Sequence, residues 1–318
     1  MVRRNGQPGP GAAPGAPTRT GRAADAHTPA AAAPLAGGDG RSVPRAEAIP
    51  EIRTEHLRKV FGVHVVLDDI NLQINTGDIV AIVGASGSGK TVLLDCLTGL
   101  IDPTSGRVLV ADHDAPPDEN GHAPLVDIGA IDPDHLDRIR LHWAVVFQKN
   151  ALFSGSVYDN IALWLREHTR MPESKIRQVA AESLRAAQLD VNDVMHKDRE
   201  ALSGGMAKRV AIARAIAVNP LVVFYDEPTT GLDPIVSGHI HELIWEFHHR
   251  PHPSGQPRTT VIVTHDRELL RRLAPRVIML DAGGVCFDGP YEQFGLAGCP
   301  AAQQYLQAMP VLHARWTD

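Results

Sequence analysis

Three cysteines in 318 residues, Cys96, Cys286 and Cys299, lie too far apart for a disulfide framework and lack the paired spacing of a metal site. They are expected to serve as small buried hydrophobes. Basic residues are not in excess: 31 Lys and Arg face 37 Asp and Glu, a formal net charge of -6, which gives nucleic acid no electrostatic footing. No apolar run approaches the roughly 20 residues that cross a bilayer, so a membrane role has to be peripheral or through a partner. Residues 1–48, rich in Ala, Pro and Gly, hold hardly a large apolar side chain besides Leu35. They cannot offset the entropy of ordering and are expected to be a disordered extension; a targeting peptide would need the h-region or amphipathic period that is missing.

The densest signal is GASGSGKT at 84–91, between the apolar run 78–83 and a helix-compatible run 91–97. An unbroken apolar run suits a strand buried on both faces of a parallel sheet. Glycines after it let the backbone turn so that successive N–H groups converge on phosphate oxygens. Lys90 then reaches the β- and γ-phosphates, Thr91 offers its hydroxyl to Mg²⁺, and the helix N-terminus adds partial positive charge. Alone, the motif is moderately specific, since a Gly-rich turn at a strand end can mimic it.

Ahead of it, residues 52–57 and 65–74 alternate as antiparallel strands, with Phe61 between them as either a core residue or a stacking face for a base. Residues 112–134, rich in Asp, Pro and Gly, read as a solvated surface excursion; His113 and His122 within it show no regular ligand spacing. A buried strand at 143–147 ends at Gln148, and residues 173–189 carry the period of an amphipathic helix in a helical subdomain spanning about 150–220. Ser203 is placed to cap the next helix, while Gly204 and Gly205 leave its first N–H groups open to an anion. The apolar strand 221–225 ends in Asp226 and Glu227, which point differently because side chains alternate along a strand: one can face Mg²⁺ while the other faces a water, and a plain solvated turn is the alternative. Asp233 and Pro234 suit the N-cap and first position of a helix, and the strand 259–264 delivers His265 at its end. Residues 252–257 read as a loop, and 299–318 as a tail.

Set in order, these pieces resemble an ABC-type ATPase subunit over about residues 50–298. GASGSGKT, the glutamine loop at Gln148, LSGGM at 202–206, FYDEP at 224–228, TGLD at 230–233 and the TH pair at 264–265 fall in the family's order. The resemblance implies an α/β P-loop NTPase of ABC type: a mainly parallel core sheet, an antiparallel β subdomain and a helical signature subdomain. It implies that Gly84, Ala85, Ser86, Gly87, Ser88, Gly89, Lys90 and Thr91 cradle the phosphates of ATP and that Thr91, Gln148 and Asp226 attend Mg²⁺. Glu227 is then the general base, Gln148 the sensor of metal and attacking water, His265 the switch toward the γ-phosphate, and Phe61 the stacking face for adenine. Ser203, Gly204 and Gly205 act on the nucleotide of a second copy, so two chains meet head to tail around two ATP molecules, with Asp233 in the turn crossing between them.

LSGGM followed by AKRVAIARAIA, ALF ahead of SVYDNI, and YDEPTTGLDPI look like the Mla/Mkl-type ATPases. That branch implies phospholipid transport through an integral membrane permease, with Mce-domain and small regulatory subunits, at the cytoplasmic face of the cell membrane. An importer subunit for another solute is the alternative. A soluble ABC ATPase working on DNA or the ribosome would call for a coiled-coil insertion or a second cassette, and neither is present in the sequence. The apolar texture of residues 150–165 suits a groove for a permease helix, and burial inside the helical subdomain explains it as well.

Overall fold

The alternation over residues 50–75 resolves, in a computed structural model that describes residues 48–296 and 298–308, as an antiparallel hairpin of β1 (Pro50–Phe61) and β2 (His64–Asn75). The expectation of disorder concerns a stretch that, up to residue 47, lies outside the described residues, as do residues 309–318. β3 (Ile79–Gly84) is buried at every position after its first and runs through the phosphate-loop motif into α1 (Lys90–Leu97). β4 (Ser105–Ala111) and β5 (Leu125–Asp127) complete a four-stranded sheet in the order β2-β1-β4-β5. The chain then passes through α2 (Pro133–Arg140), capped by the Asp132 side chain, to β6 (Trp143–Val146).

Four helices follow: α3 (Val157–His168), α4 (Glu173–Ala186), α5 (Val191–Val194) and α6 (Gly204–Ala217). Ser156 and Asp159 start α3 with a reciprocal capping box, which satisfies two N–H groups that the first turn leaves unpaired. β7 (Val222–Asp226), α7 (Pro234–His249), β8 (Thr259–Val263), α8 (Arg267–Leu273), β9 (Arg276–Asp281) and β10 (Gly284–Pro290) alternate from there. The second sheet has the order β10-β9-β3-β8-β7-β6; its pairings are parallel except that of β10 with β9. A mainly parallel core with an antiparallel β subdomain is thus the fold of this chain.

The two-residue period of the strands sorts the core. Val80, Ile82, Val222 and Phe224 face α1 and the inner side of the first sheet, where Leu93, Leu94 and Leu97 meet Ile52, Leu67 and Ile74. Val223 and Tyr225 face the other way, into the apolar mass shared with α3, α4, α6 and α7. α1 is therefore wedged between two sheets, and the loop before it is anchored at both ends. Truncating Leu93 to Ala would cost about 2–5 kcal/mol, the usual range for opening a cavity of that size.

Two regions differ from the sequence reading. The excursion at 112–134 carries β5 and the approach to α2, and the His113 side chain is buried, its Nε2 2.7 Å from Glu51 Oε1. The pairing joins residues 62 apart in sequence, so no local pattern announces it. Burial opposes protonation of His113, but Glu51 prevails and raises its pKa. A histidine raised in this way adds stability below its unfolded pKa, and that stability is lost as pH rises through the folded value. His113→Gln is accordingly expected to lower the melting temperature more at about pH 5.5 than at about pH 8.5, as calorimetry would record. The second difference is at the C-terminal end, where α9 (Tyr291–Phe294) and α10 (Pro300–Ala308) form helices; Ala302 and Phe294 pack on Ala81, Val83 and Met279 of the core sheet. As for residues 150–165, Val157, Ile161, Ala162 and Leu165 are buried inside the helical subdomain, while Phe153 and Leu163 stay exposed. Among the described residues, no helix is long and apolar enough to cross a membrane.

Candidate active site

β3 ends at Gly84 with φ 151°, and a Cβ there would stand 2.4 Å from Leu280 O and 2.6 Å from Ser88 Oγ. Gly89, at φ 96°, caps α1 with Leu67 Cδ2 2.9 Å from where its Cβ would be. No side chain fits at either point, so both turns require glycine. The loop curls around Lys90, whose Nζ donates to Gly84 O at 2.9 Å and Ala85 O at 3.0 Å. Partial burial lowers the Lys90 pKa, against the pull of Glu227 and Asp226.

This loop forms one wall of a cavity of about 520 Å³, lined by Gly84, Ser86, Gly87, Gly89, Lys90 and Thr91 from the loop, Gln148 beyond β6, Glu227 beyond β7 and His265 beyond β8. Three neighbouring parallel strands thus deliver a side chain each to the phosphate loop at their C-terminal ends, where ligands bind in open α/β sheets. Glu227 takes a left-handed φ of 48°, sparsely populated for a residue with a side chain, and is held by its N–H on Val263 O at 2.9 Å. Its Oε2 meets His265 Nδ1 at 2.8 Å and accepts from Thr230 Oγ1 at 3.1 Å. That carboxylate raises the His265 pKa. Burial, and after it the Glu227 charge, push the Asp226 carboxyl up to about 6, and its Oδ1 is buried without a hydrogen-bond partner.

Other expected site residues stand outside this cavity. Ala85 is exposed in the loop, and the Ser88 hydroxyl is buried and unpartnered beneath it. Phe61 is 47% exposed at the hairpin end, with Lys59 Nζ 5.0 Å from its ring centre. Ser203 and Gly204 are exposed at the start of α6, where Ser203 Oγ accepts from Met206 N at 3.2 Å. Asp233 caps α7, accepting from the N–H groups of Ile235 and Val236, both at 3.0 Å.

Sequence reasoning missed three neighbours of the site. Lys208, 3% exposed on α6, donates to Phe147 O at 3.1 Å and Gln148 O at 2.7 Å. The available signal was a lysine flanked on its own helix face by Ala211 and Ile212, where a charge has to find partners. Tyr305 reaches the same cavity from α10, and burial pushes its pKa up to about 12. The third is the buried group formed by Thr229, His241 and Asp266 behind His265.

The sequence profile described as ABC transporter matches residues 67–230, and the protein named as the probable ribonucleotide transport ATP-binding protein mkl of Mycobacterium leprae is 34% identical over 85% of this chain and 71% of its own length. The chain belongs to the ABC transporter ATP-binding family. Within that family the intermembrane phospholipid transport system ATP-binding protein MlaF of Haemophilus influenzae is 35% identical over 76% of this chain and 84% of its own. The methionine import ATP-binding protein MetN of Brucella abortus is 32% identical, covering 86% of this chain and 70% of MetN. Among solved structures, a dimeric post-hydrolysis state of the ATP-binding cassette MJ0796 bound to ADP and Pi superposes with a TM-score of 0.64 at 31% identity, over 76% of this chain and 98% of that one. As an ABC ATPase, this chain has its phosphate loop, Gln148, Glu227 and His265 gathered around one cavity.

Proposed function

We propose that this ABC ATPase hydrolyses ATP at the cavity bounded by residues 84–91, Gln148, Glu227 and His265, and that hydrolysis powers phospholipid transport through a membrane permease. The observation that carries the hydrolytic reading is the Glu227–His265 contact at 2.8 Å in the cavity that Lys90 and the glycine-rich loop also line. In this reading Lys90 and the backbone of residues 85–91 hold the phosphates, Phe61 covers the adenine, and Glu227 takes the proton of the attacking water. His265, held by its carboxylate partner, faces the γ-phosphate. The partnerless Oδ1 of Asp226 and the exposed Thr91 fit a hard cation that prefers few carboxylates together with phosphate oxygens. Asp226, Thr91 and Gln148 would hold Mg²⁺, which when bound neutralises charge on the phosphates.

Ser203, Gly204 and Gly205 lie away from their own cavity, and Ser203 and Gly204 are exposed, which supports a head-to-tail pair of chains in which each signature completes the other's site. The phospholipid cargo is supported by the LSGGM and ALF variants and by the resemblance to MlaF. A permease partner would keep the chain at the cytoplasmic face of the membrane, with Mce-domain and small regulatory subunits completing the assembly. The likeness to MetN favours a second reading, an importer of a polar solute. Native mass spectrometry of the complex released in mild detergent separates the two: permease subunits with bound phospholipid are expected, and a permease with a solute-binding partner and no lipid would defeat the lipid reading.

A further inference from the structure

The geometry points to His241 as a positioning residue for ATP hydrolysis, acting through Asp266 to hold the His265 imidazole in place. This rests on the roles given above to Glu227 and His265. His241 lies on α7 and is 1% exposed; Asp266 is 4% exposed. His241 Nε2 stands 2.8 Å from Asp266 Oδ2, and the Thr229 hydroxyl donates to the same oxygen at 2.8 Å. The other oxygen, Oδ1, accepts from the N–H groups of Glu268 at 2.9 Å and Leu269 at 3.1 Å. Burial works against the charge on this carboxylate, yet the bonds from His241 and Thr229 hold its pKa down at about 2.

Asp266 is the residue after His265, and Thr229 is two residues beyond Glu227. Two clasps therefore join the same two turns. In the outer one Glu227 meets His265, with Thr230 on the same carboxylate oxygen. In the inner one Thr229 meets Asp266, and only there does a third element, α7, enter through His241. The Asp266 N–H is fixed in turn on Thr264 Oγ1 at 3.0 Å. With both carboxylate oxygens and the N–H of Asp266 engaged, the peptide that carries His265 is held against rotation.

Packing alone does not explain a histidine at this point. The neighbouring inward positions of α7 are Ile240, Leu243 and Ile244, and an aliphatic side chain would fill the space without the cost of burying an imidazole. Nδ1 of His241 is buried and has no partner. With a proton on Nε2 the ring donates to Asp266 Oδ2. The ring thus makes a single polar bond, and that bond is to Asp266. α7 begins at the Asp233 cap, about 12 Å from His241 along a rigid helix at 1.5 Å per residue. A second chain pressing on the turn at 230–233 would therefore be felt at Asp266.

The test is steady-state ATP hydrolysis by the full-length chain, with nucleotide affinity and melting temperature measured alongside. His241→Leu is expected to lower kcat about tenfold or more while KM and ATP affinity stay within about twofold, the split expected when an interaction that matters only in the transition state is lost. His241→Gln, whose amide can donate to Asp266, should keep kcat within about threefold of the parent. A His241→Leu chain with unchanged kcat, or a His241→Gln chain as impaired as His241→Leu, would overturn the proposal. Should His241→Leu fail to fold, Thr229→Val decides, because it removes the other donor to the same oxygen: a lower kcat at constant KM supports the clasp, and an unchanged kcat overturns it. His265→Ala separates this inference from its foundation. Full activity of His265→Ala sinks the site assignment itself, whereas an inactive His265→Ala beside a fully active His241→Leu sinks only the role of His241.

Discussion

Glu227→Gln is expected to lower the rate of ATP hydrolysis by about 10²- to 10⁴-fold, the range over which a positioned general base contributes. ATP affinity should change little, because the amide keeps the shape of the side chain and, in the proposed reading, the phosphates are held by residues 84–91. An amide cannot take a proton from water, but it can still accept from Thr230 and face His265. Binding without turnover should trap the head-to-tail pair, so size-exclusion chromatography with ATP is expected to show a dimer for the variant and a monomer without nucleotide. Turnover by Glu227→Gln at the parental rate would remove Glu227 from the role of base.

Lys90→Ala should act on the other half of the reaction. The ammonium folds over the loop onto Gly84 O and Ala85 O, poised in the cavity where phosphate charge would gather. Losing one charge-assisted contact of about 1.5–3 kcal/mol corresponds to roughly a 10- to 100-fold weaker ATP affinity. Hydrolysis falls with it. The two variants are thus expected to part company in a binding titration, one retaining ATP and the other losing it, and equal affinity of Lys90→Ala and the parent would count against the cradle.

The architecture was legible wherever a local pattern carried it. The apolar run before GASGSGKT became β3 because a strand covered on both faces has no polar side to show, and Ser203 and Asp233 cap the helices their spacing suggested. What escaped were pairings made at long range. His113 reads as a loop histidine until Glu51 is brought to it from the first strand, and Thr229 needs both α7 and the turn after β8 to show its use. Tyr305 sits in a stretch with no period of its own, and its place in the cavity depends on α10 packing against the core sheet. The proposed meeting of Ser203 and Asp233 with a second chain would likewise be a property of an assembly that no single sequence displays.

The two hydrogen bonds from Lys208 have a mechanical meaning. They fasten α6 to the carbonyls of Phe147 and Gln148, and Ser203 opens the same helix less than two turns away. A lever results, with the glutamine loop on one arm and the signature glycines on the other. Tilting the helical subdomain would carry both together, so in the proposed pair of chains a push on it would reach the chain's own ATP site and its partner's in step.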